Sequence, residues 1–256
     1  MSGPRARDWD AESYDRVSTP QVEMALPVLD RLPLQGHETV LDAGCGSGRV
    51  TALLLERLPR GAVVATDAAP SMIEQARERF EHDPRVTVLA PVSLTELELR
   101  EPVDAAFSNA VFHWVGDHDA LFQRLHAALR PGSPLVAQCG GKGNIDRFRR
   151  LADEVAAEQP YADHLSAFEG PWNYAAPEAT EERLRRAGFE DIRCWLQPWP
   201  VTPDQPVEFA STVCLGNHLE VLPEELREPF ATEVVRRSGE PLELEYVRLN
   251  IVAKRA

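Results

Sequence analysis

Glycines at alternate positions stand at the most chemically informative point of the sequence, directly behind a short apolar run. Residues 40–43 lead into Gly44, Gly46 and Gly48, and a helical pattern follows over residues 50–58. Glycine adopts positive φ at little cost and lets a ligand touch the backbone. The helix behind such a turn begins with unpaired N–H groups that can bind a ligand. The pattern therefore predicts a nucleotide-type binding crevice at the end of a parallel strand.

The spacing of this turn separates it from two other nucleotide sites. Arg49 stands where a dinucleotide fingerprint has its third glycine, and no Gly-Lys-Ser or Gly-Lys-Thr sequence follows for a phosphate loop. Asp42 completes the pattern D-x-G-x-G-x-G, which resembles motif I of the class I S-adenosylmethionine-dependent methyltransferases. The resemblance implies that the glycine turn, with Cys45 inside it, passes under the amino-acid end of S-adenosylmethionine. It also implies that Asp42 lies near the ammonium of that end.

An acid at the end of the second predicted strand fits the same resemblance. The apolar run 62–66 ends at Asp67, and a carboxylate in that place can accept both hydroxyls of an adenosine ribose. The resemblance assigns this role to Asp67, with Ala68 beside it, and places Met72 on the adenine face. The residues alone leave two alternatives open, a helix N-cap for Asp67 and core packing for Met72.

The segment after the third predicted strand departs from the family pattern. Many relatives have an acid there, near the adenine amino group, whereas residues 90–93 of this chain are Ala-Pro-Val-Ser. We expect backbone groups of Val92 or the hydroxyl of Ser93 to substitute for that acid. After the fourth strand, Asn109 and Ala110 complete the expected cofactor contacts.

Two stretches resemble one branch of the methyltransferase family. Residues 108–118 read Ser-Asn-Ala-Val-Phe-His-Trp-Val-Gly-Asp-His, and residues 9–15 contain a Trp-Asp opening followed by a tyrosine. The branch contains trans-aconitate methyltransferase, malonyl-carrier-protein methyltransferase and juvenile hormone acid methyltransferase. The likeness covers about residues 9–140 and implies methylation of a carboxylate on a small-molecule acceptor.

His113 is the residue whose chemistry depends most on the acceptor. A carboxylate is already ionised at neutral pH, so His113 would only orient it by a hydrogen bond. A phenol, enol or amine must lose a proton, and His113 would then be the base. A third alternative is simple packing on Trp114 or on the edge of the cofactor. The predicted catalytic residues are His113, Trp114 and Tyr14, and the predicted substrate contacts are these three with Trp9, Arg147 and Trp172, whose aromatic members would remove water from the acceptor.

The chain beyond residue 140 carries no motif that identifies a substrate. Arg147, Arg149 and Arg150 form either a solvated face or a group in which one arginine binds a carboxylate bidentately. Residues 159–176 contain several aromatic side chains and form either a surface loop or part of a substrate pocket. His218 has no partner pattern and is expected to be an ordinary polar residue.

Composition limits the class of protein. The 256 residues carry a formal net charge of −14, which disfavours nucleic acid as a partner, since phosphate contacts need Lys and Arg. No apolar run is long enough for a membrane span, and the N-terminus lacks the apolar core of a signal peptide. Four scattered cysteines indicate reduced thiols and a cytoplasmic location. We expect no metal site, and either a monomer or a homodimer.

Strands and helices alternate along the chain, which predicts an α/β protein. The expected fold is a Rossmann-like, seven-stranded, mostly parallel sheet with helices on both faces and a helical cap, and the resemblance implies an antiparallel last strand. Strands are predicted at 39–43, 62–66, 86–89, 103–108, 134–138, 191–197 and 242–252. Helices are predicted at 71–80, 119–129, 145–157 with Asn144 as N-cap, 177–187 and 223–237, and two short ones between residues 9 and 32.

These elements are expected to form a single domain over residues 1–256. Its core is predicted at about 36–140 and 177–256, and its cap is drawn from 1–35, 141–176 and 203–239. The predicted function is S-adenosylmethionine-dependent methylation of a small molecule, with a carboxylate oxygen as acceptor and S-adenosylhomocysteine as product. Two alternatives remain: C- or N-methylation of a natural-product intermediate with His113 as base, and a non-catalytic regulatory protein that binds the cofactor.

Overall fold

A computed structural model describes residues 19–256 of the chain. Trp9 and Tyr14, and the first of the two helices predicted before residue 32, lie outside the described residues. Among residues 19–256, no helix is long and apolar enough to cross a membrane.

Within the described residues, seven strands form one sheet. They are β1 Thr39–Ala43, β2 Ala62–Thr66, β3 Val86–Val88, β4 Ala105–Asn109, β5 Pro134–Gly140, β6 Phe189–Pro198 and β7 Val247–Arg255. Their order is β3-β2-β1-β4-β5-β7-β6. The first five pair in parallel, and β7 is antiparallel to both β5 and β6. The predicted Rossmann-like sheet with an antiparallel last strand is confirmed.

Helices occupy the connections between the strands. They are α1 Thr19–Leu29, α2 Arg49–Glu56, α3 Pro70–Arg79, α4 His118–Ala128, α5 Asp146–Ala156, α6 Ala162–Leu165, α7 Pro177–Ala187, α8 Pro206–Phe209, α9 Gly216–Val221 and α10 Glu224–Ser238. Proline opens α3 and α7, where its missing N–H leaves no bond unmade. The carboxylate of Asp117 caps α4 by accepting the N–H of Ala120 at 2.9 Å.

Alternation along the central strands produces two apolar layers, because successive side chains point to opposite faces. Leu41 on one face of β1 belongs to a buried cluster with the apolar side chains of α4. Val40 on the other face belongs to a cluster with α1, α2 and α3. Asp42 shares the face of Val40, so its carboxyl group lies toward α2.

A third apolar cluster is built mainly by α5, α8, the short π-helix Ala210–Cys214 and α10, with Phe148, Phe209 and Phe230 among its members. A hydrogen bond from the N–H of Val247 to Asn144 Oδ1, 2.9 Å long, ties the start of α5 to the sheet. The prediction of Asn144 as the N-cap of this helix is therefore wrong. Ile145 occupies the cap position, with φ 47°.

The boundaries of β3 to β7 differ from the sequence prediction by one to five residues, and the starts of two of these strands have a visible cause. The last strand begins at Val247 rather than at residue 242, because Leu244 instead forms an isolated bridge with Val201. The fourth strand begins at Ala105, and Val103 before it bridges to Leu129. In both cases apolar residues precede the hydrogen-bonded part of the strand, so the sequence pattern alone starts the strand too early.

Candidate active site

A cleft opens at the carboxyl ends of β1 and β4. These neighbouring strands connect to opposite sides of the sheet, which is the arrangement that leaves a crevice between them. About 460 Å³ of space free of protein atoms lies in and in front of this cleft, part of it open to solvent. Its lining residues are Val22, Asp42, Gly44, Cys45, Gly46, Ser47, Arg49, Val50, Phe107, Asn109 and Ala110. The structure thus brings together residues predicted as cofactor contacts from two separate segments.

The three glycines of the turn differ in what surrounds them. All have positive φ, at 89° for Gly44, 55° for Gly46 and 86° for Gly48. A Cβ on Gly44 or Gly48 would overlap neighbouring side chains, at 2.1 Å and 2.6 Å respectively. Within the part of the chain that the structure describes, a Cβ on Gly46 would meet only Met72 Sδ, at 4.0 Å. The backbone of Gly46 is therefore the part of the turn that a ligand can approach.

Asp42 places a carboxyl group at the floor of this cleft. Only 1% of the residue is exposed, and Thr51 Oγ1 donates a 2.6 Å hydrogen bond to Asp42 Oδ2. Burial raises the pKa of Asp42 to about 7, against the opposing effect of Thr51 and with a further contribution from the nearby Asp67 carboxylate. An ammonium group beside Asp42 would favour its ionised form, so the residue fits the amino-acid end of S-adenosylmethionine.

Asp67 links the end of β2 to the glycine turn. Its two carboxylate oxygens accept the N–H of Gly46 at 3.0 Å and the N–H of Ala69 at 2.9 Å. Burial raises the pKa of Asp67. The N-cap of α3 is Ala69, so the alternative of Asp67 as the helix cap is wrong. Ala68, next to Asp67, is half-buried.

Met72 is buried in the first turn of α3. Its sulfur is also the protein atom nearest to the open side of Gly46. Core packing and a position beside the cleft are therefore compatible for this residue.

In the loop after β3, the groups that were expected to replace the missing acid make hydrogen bonds within the protein. The N–H of Val92 donates to the carbonyl of Asp67 at 3.0 Å. Ser93 Oγ pairs with Thr95 Oγ1 at 2.8 Å, and the Ser93 carbonyl accepts the N–H of Glu96 at 2.9 Å. These bonds close a turn beside Asp67. The adenine contact of Val92 and Ser93 stays a prediction.

Backbone strain marks the exit from β4. Ala110 has φ 62°, and its N–H donates to the carbonyl of Gln138 at 2.7 Å. The left-handed conformation costs an alanine about 1–2 kcal/mol. Such strain is concentrated at functional sites. The strained residue follows Asn109 and turns the chain into the short 3₁₀ helix Phe112–Trp114, which carries His113.

His113 is held by the backbone of the neighbouring strand. The N–H of Gly140 donates to His113 Nδ1 at 3.2 Å, and the ring stacks on Tyr174 with centroids 5.7 Å apart. Burial holds the pKa of His113 well below its usual value, and the charge of the nearby Arg248 lowers it further. The neutral ring therefore carries its hydrogen on Nε2, because Nδ1 is the acceptor.

An aromatic cluster extends from His113 into the region after β5. We define it by six rings: His113, Trp114, Phe168, Trp172, Tyr174 and His218. Trp114 and Trp172 lie 6.3 Å apart, and Trp172 stacks on Tyr174 at 6.4 Å. The structure thus brings the predicted substrate residues His113, Trp114 and Trp172 together.

The arginine beside this cluster is Arg149. Its guanidinium lies over the rings of Trp172 and Tyr174, at 5.1 Å and 5.3 Å from their centroids. Arg147, the predicted substrate contact, is instead exposed, and its Nη2 donates to the carbonyl of Ser238 at 3.1 Å. The sequence signalled the arginine group and the aromatic segment, but helical phase decides which arginine faces the rings.

Comparisons with known proteins agree with this geometry. A family model described as a methyltransferase domain matches residues 40–132. The trans-aconitate 2-methyltransferase of Methylobacterium nodulans is 33% identical, over 77% of this chain and 70% of the relative. That of Paracidovorax citrulli is 31% identical, over 97% of this chain and 99% of the relative.

The fold is also found in solved structures. Phosphoethanolamine N-methyltransferase 2 of Haemonchus contortus, in complex with S-adenosyl-L-methionine, superposes with a TM-score of 0.63 and 19% identity. The match covers 96% of this chain and 56% of that chain. Fold and cleft together define a class I methyltransferase. The chain belongs to the S-adenosylmethionine-dependent methyltransferase family, and S-adenosylmethionine is its methyl donor.

Proposed function

We propose that this enzyme methylates a carboxylate oxygen of a small organic acid. The relatives named trans-aconitate 2-methyltransferases support an acid as acceptor. The observation that carries the proposal is the hydrogen bond from the Gly140 N–H to His113 Nδ1. Because of this bond, Nε2 is the ring nitrogen left to contact an acceptor molecule, and Nε2 can do so as a hydrogen-bond donor.

The tautomer of His113 favours an anionic acceptor. Because Nδ1 accepts the Gly140 N–H, the neutral ring offers a donor, Nε2–H, rather than a lone pair. A carboxylate is an acceptor-only group and matches that donor. A phenol, enol or amine would need a base, yet the lone pair of His113 is engaged and its pKa lies well below neutrality. C- or N-methylation with His113 as base is therefore the weaker candidate.

The surroundings of His113 suit a carboxylate nucleophile. S-adenosylmethionine supplies a methyl group on a positively charged sulfur, and the protein has to position the acceptor oxygen in line with it. The rings of Trp114, Trp172 and Tyr174 exclude water from the acceptor, which leaves its charge less well solvated. His113 Nε2–H would hold one carboxylate oxygen so that the other faces the methyl group. No proton has to be removed.

The reaction is tested with methyl-labelled S-adenosylmethionine and a panel of carboxylic acids, phenols and amines that includes trans-aconitate. We expect label in an acid product and its release by mild base, because the product is an ester. Base-stable label, or label only in phenols or amines, would contradict the proposal.

Two substitutions separate the roles of His113. His113→Gln keeps a side-chain N–H near the Nε2 position, whereas His113→Asn keeps only an acceptor near Nδ1 for Gly140. Loss of a hydrogen bond to a charged group costs about 1.5–3 kcal/mol, or roughly 10- to 150-fold in kcat/KM. We expect that loss for His113→Asn and a smaller one for His113→Gln. At saturating cofactor, kcat should be flat between pH 6 and 8. Equal inactivation of both variants, together with an acid limb near pH 6.5 in the wild type, would favour a base.

A further inference from the structure

A second buried histidine belongs to the aromatic cluster. His218, on α9, is 2% exposed, and its ring lies 4.3 Å from that of Phe168, 5.7 Å from that of Trp172 and 5.6 Å from that of Phe230. Within residues 19–256, neither ring nitrogen of His218 makes a hydrogen bond of good geometry, and the backbone of Leu215 acts on the ring only by opposing the effect of burial on its pKa. The histidine is connected to His113 through Trp172 and Tyr174, whose rings stack on each other.

This arrangement is unfavourable for the free protein. A buried polar group without a partner costs about 1–3 kcal/mol. Burial lowers the pKa of His218 to about 4, so the ring is neutral at pH 7 and has one N–H donor and one acceptor nitrogen. Phenylalanine would have a similar shape without that cost. A histidine in this place is explained by a bond to a molecule that enters the cluster.

The neighbouring charge indicates which chemical group that molecule carries. Arg149 lies over Trp172 and Tyr174, and its positive charge also acts on His218. Its side chain is 36% exposed and has a long ion pair of 3.7 Å with Asp146, one turn away on the surface of α5. The neutral imidazole and the guanidinium both lie against the ring of Trp172, so both can offer N–H donors beside that ring. Donors of this kind match an anion that accepts hydrogen bonds, and a carboxylate is the group of that kind on an organic acid.

We propose that His218 and Arg149 bind a second carboxylate of the acceptor, remote from the one that is methylated. The inference rests on the proposed function, because it takes His113 as the site of the reacting carboxylate. His218 is then a residue that determines specificity. It selects acids with at least two carboxylates over monocarboxylic acids of similar shape, while the rings between the two histidines contact the carbon chain.

The experiment compares trans-aconitate with crotonate, a monocarboxylic acid that also has a trans double bond. We expect the wild type to have a much lower KM for trans-aconitate. His218→Phe should raise that KM at least tenfold and leave kcat, and the KM for crotonate, within about twofold. Arg149→Met, which keeps a long unbranched side chain and removes the charge, should act in the same direction. Arg150→Met, at an exposed position of the same helix, is the matched control and should resemble the wild type.

Thermal unfolding gives a readout that does not depend on turnover. With S-adenosylhomocysteine present, trans-aconitate should raise the Tm of the wild type and of Arg150→Met, but not that of His218→Phe. Without the acid, His218→Phe should be at least as stable as the wild type, because the substitution removes an unpartnered polar group. His218→Gln restores hydrogen-bonding capacity and should recover part of the acid-dependent shift.

The outcomes separate the two proposals. Unchanged trans-aconitate KM and Tm shift in His218→Phe would overturn the second-carboxylate site. So would a lower Tm with unchanged KM, because His218 would then be a packing residue only. If trans-aconitate stabilises the wild type through His218 but no acid of the panel is methylated, the proposed function fails and the binding site stands. If no acid is methylated and none raises the Tm, both are wrong.

Discussion

Replacing Asp42 by asparagine tests whether the buried carboxyl group below the glycine turn holds the positive end of the cofactor. The substitution keeps an oxygen that can accept the Thr51 hydroxyl hydrogen bond and removes the charge. Two quantities should change together: the pH dependence of stability in the free protein, and the pH dependence of cofactor affinity.

The effect on stability follows from the raised pKa of Asp42. A change from 3.8 to about 7 is about three pKa units, which corresponds to about 4 kcal/mol at about 1.36 kcal/mol per unit. The folded state binds this proton more tightly than the unfolded chain does. The stabilisation from Asp42 is therefore complete below about pH 4 and is lost as the pH rises to about 7. In Asp42→Asn that loss should be absent, a difference of roughly 10 °C in Tm between the two pH limits.

The effect on binding has the opposite dependence on protons. A cofactor ammonium favours the ionised Asp42, so binding below pH 7 must release its proton. The Kd of S-adenosylhomocysteine should fall about tenfold per pH unit between pH 5.5 and 7 in the wild type. It should be nearly constant in Asp42→Asn, and weaker at pH 7.5 because the charge pair is lost. Thr51→Val should shift the midpoint upward, because the hydroxyl that favours the ionised form is gone.

The measurements are isothermal titration calorimetry of S-adenosylhomocysteine in buffers of different ionisation enthalpy, and thermal unfolding of the free protein from pH 4 to 8. Thr51→Ser, which keeps the hydroxyl, is the control for Thr51→Val. A Kd that is independent of pH in the wild type, with no proton release, would refute the placement of the ammonium at Asp42. If the Kd of Asp42→Asn depended on pH as steeply as that of the wild type, the placement would also be refuted.

Three glycines provide the remaining predictions. Gly46→Ala should fold with a strain of about 1–2 kcal/mol. It should lose much more affinity for S-adenosylhomocysteine than stability, because its methyl group would point into the open space that a ligand needs. Full affinity in calorimetry would contradict this. Gly48→Ala should lose more stability than Gly46→Ala in chemical unfolding, since strain is combined with a 2.6 Å overlap; equal losses would be a contrary result. Gly140→Ala places a Cβ 2.6 Å from Tyr174 Cε1, beside the N–H that holds His113. We expect about 1–3 kcal/mol of destabilisation and a raised acceptor KM with cofactor affinity retained, and steady-state kinetics with an unchanged KM would disprove it.

The glycine turn and the acid after the second strand were predictable because their signals are local. The strands at 39–43 and 62–66 lie where the apolar runs predicted them, since buried parallel strands read as continuous apolar segments that end at turns. Positive φ at alternate residues strongly favours glycine, so the turn at Gly44 is visible in the sequence. The position of Asp67 follows from the end of its strand.

The loop at Val92 shows where local signals stop being sufficient. The sequence indicated which groups were available to replace an acid, but it did not show that the Val92 N–H would bind the carbonyl of Asp67. That contact joins two loops at neighbouring strand ends, and it depends on how β2 and β3 align.

The sequence by itself determined the class of fold and the residues of the glycine turn, because periodicity and backbone sterics act over a few neighbouring residues. The cofactor followed from the resemblance of that turn to motif I of the class I methyltransferases. Tertiary structure alone decided the surroundings of His113, where we propose that the acceptor binds. It placed Arg149 rather than Arg147 against the aromatic rings, and it placed His218 among them. It also set the tautomer of His113 through the Gly140 N–H. These groups come from a strand, two α-helices, a 3₁₀ helix and a loop that are distant along the chain. Their contacts arise from the packing of those elements against one another, which no short-range pattern of residues encodes.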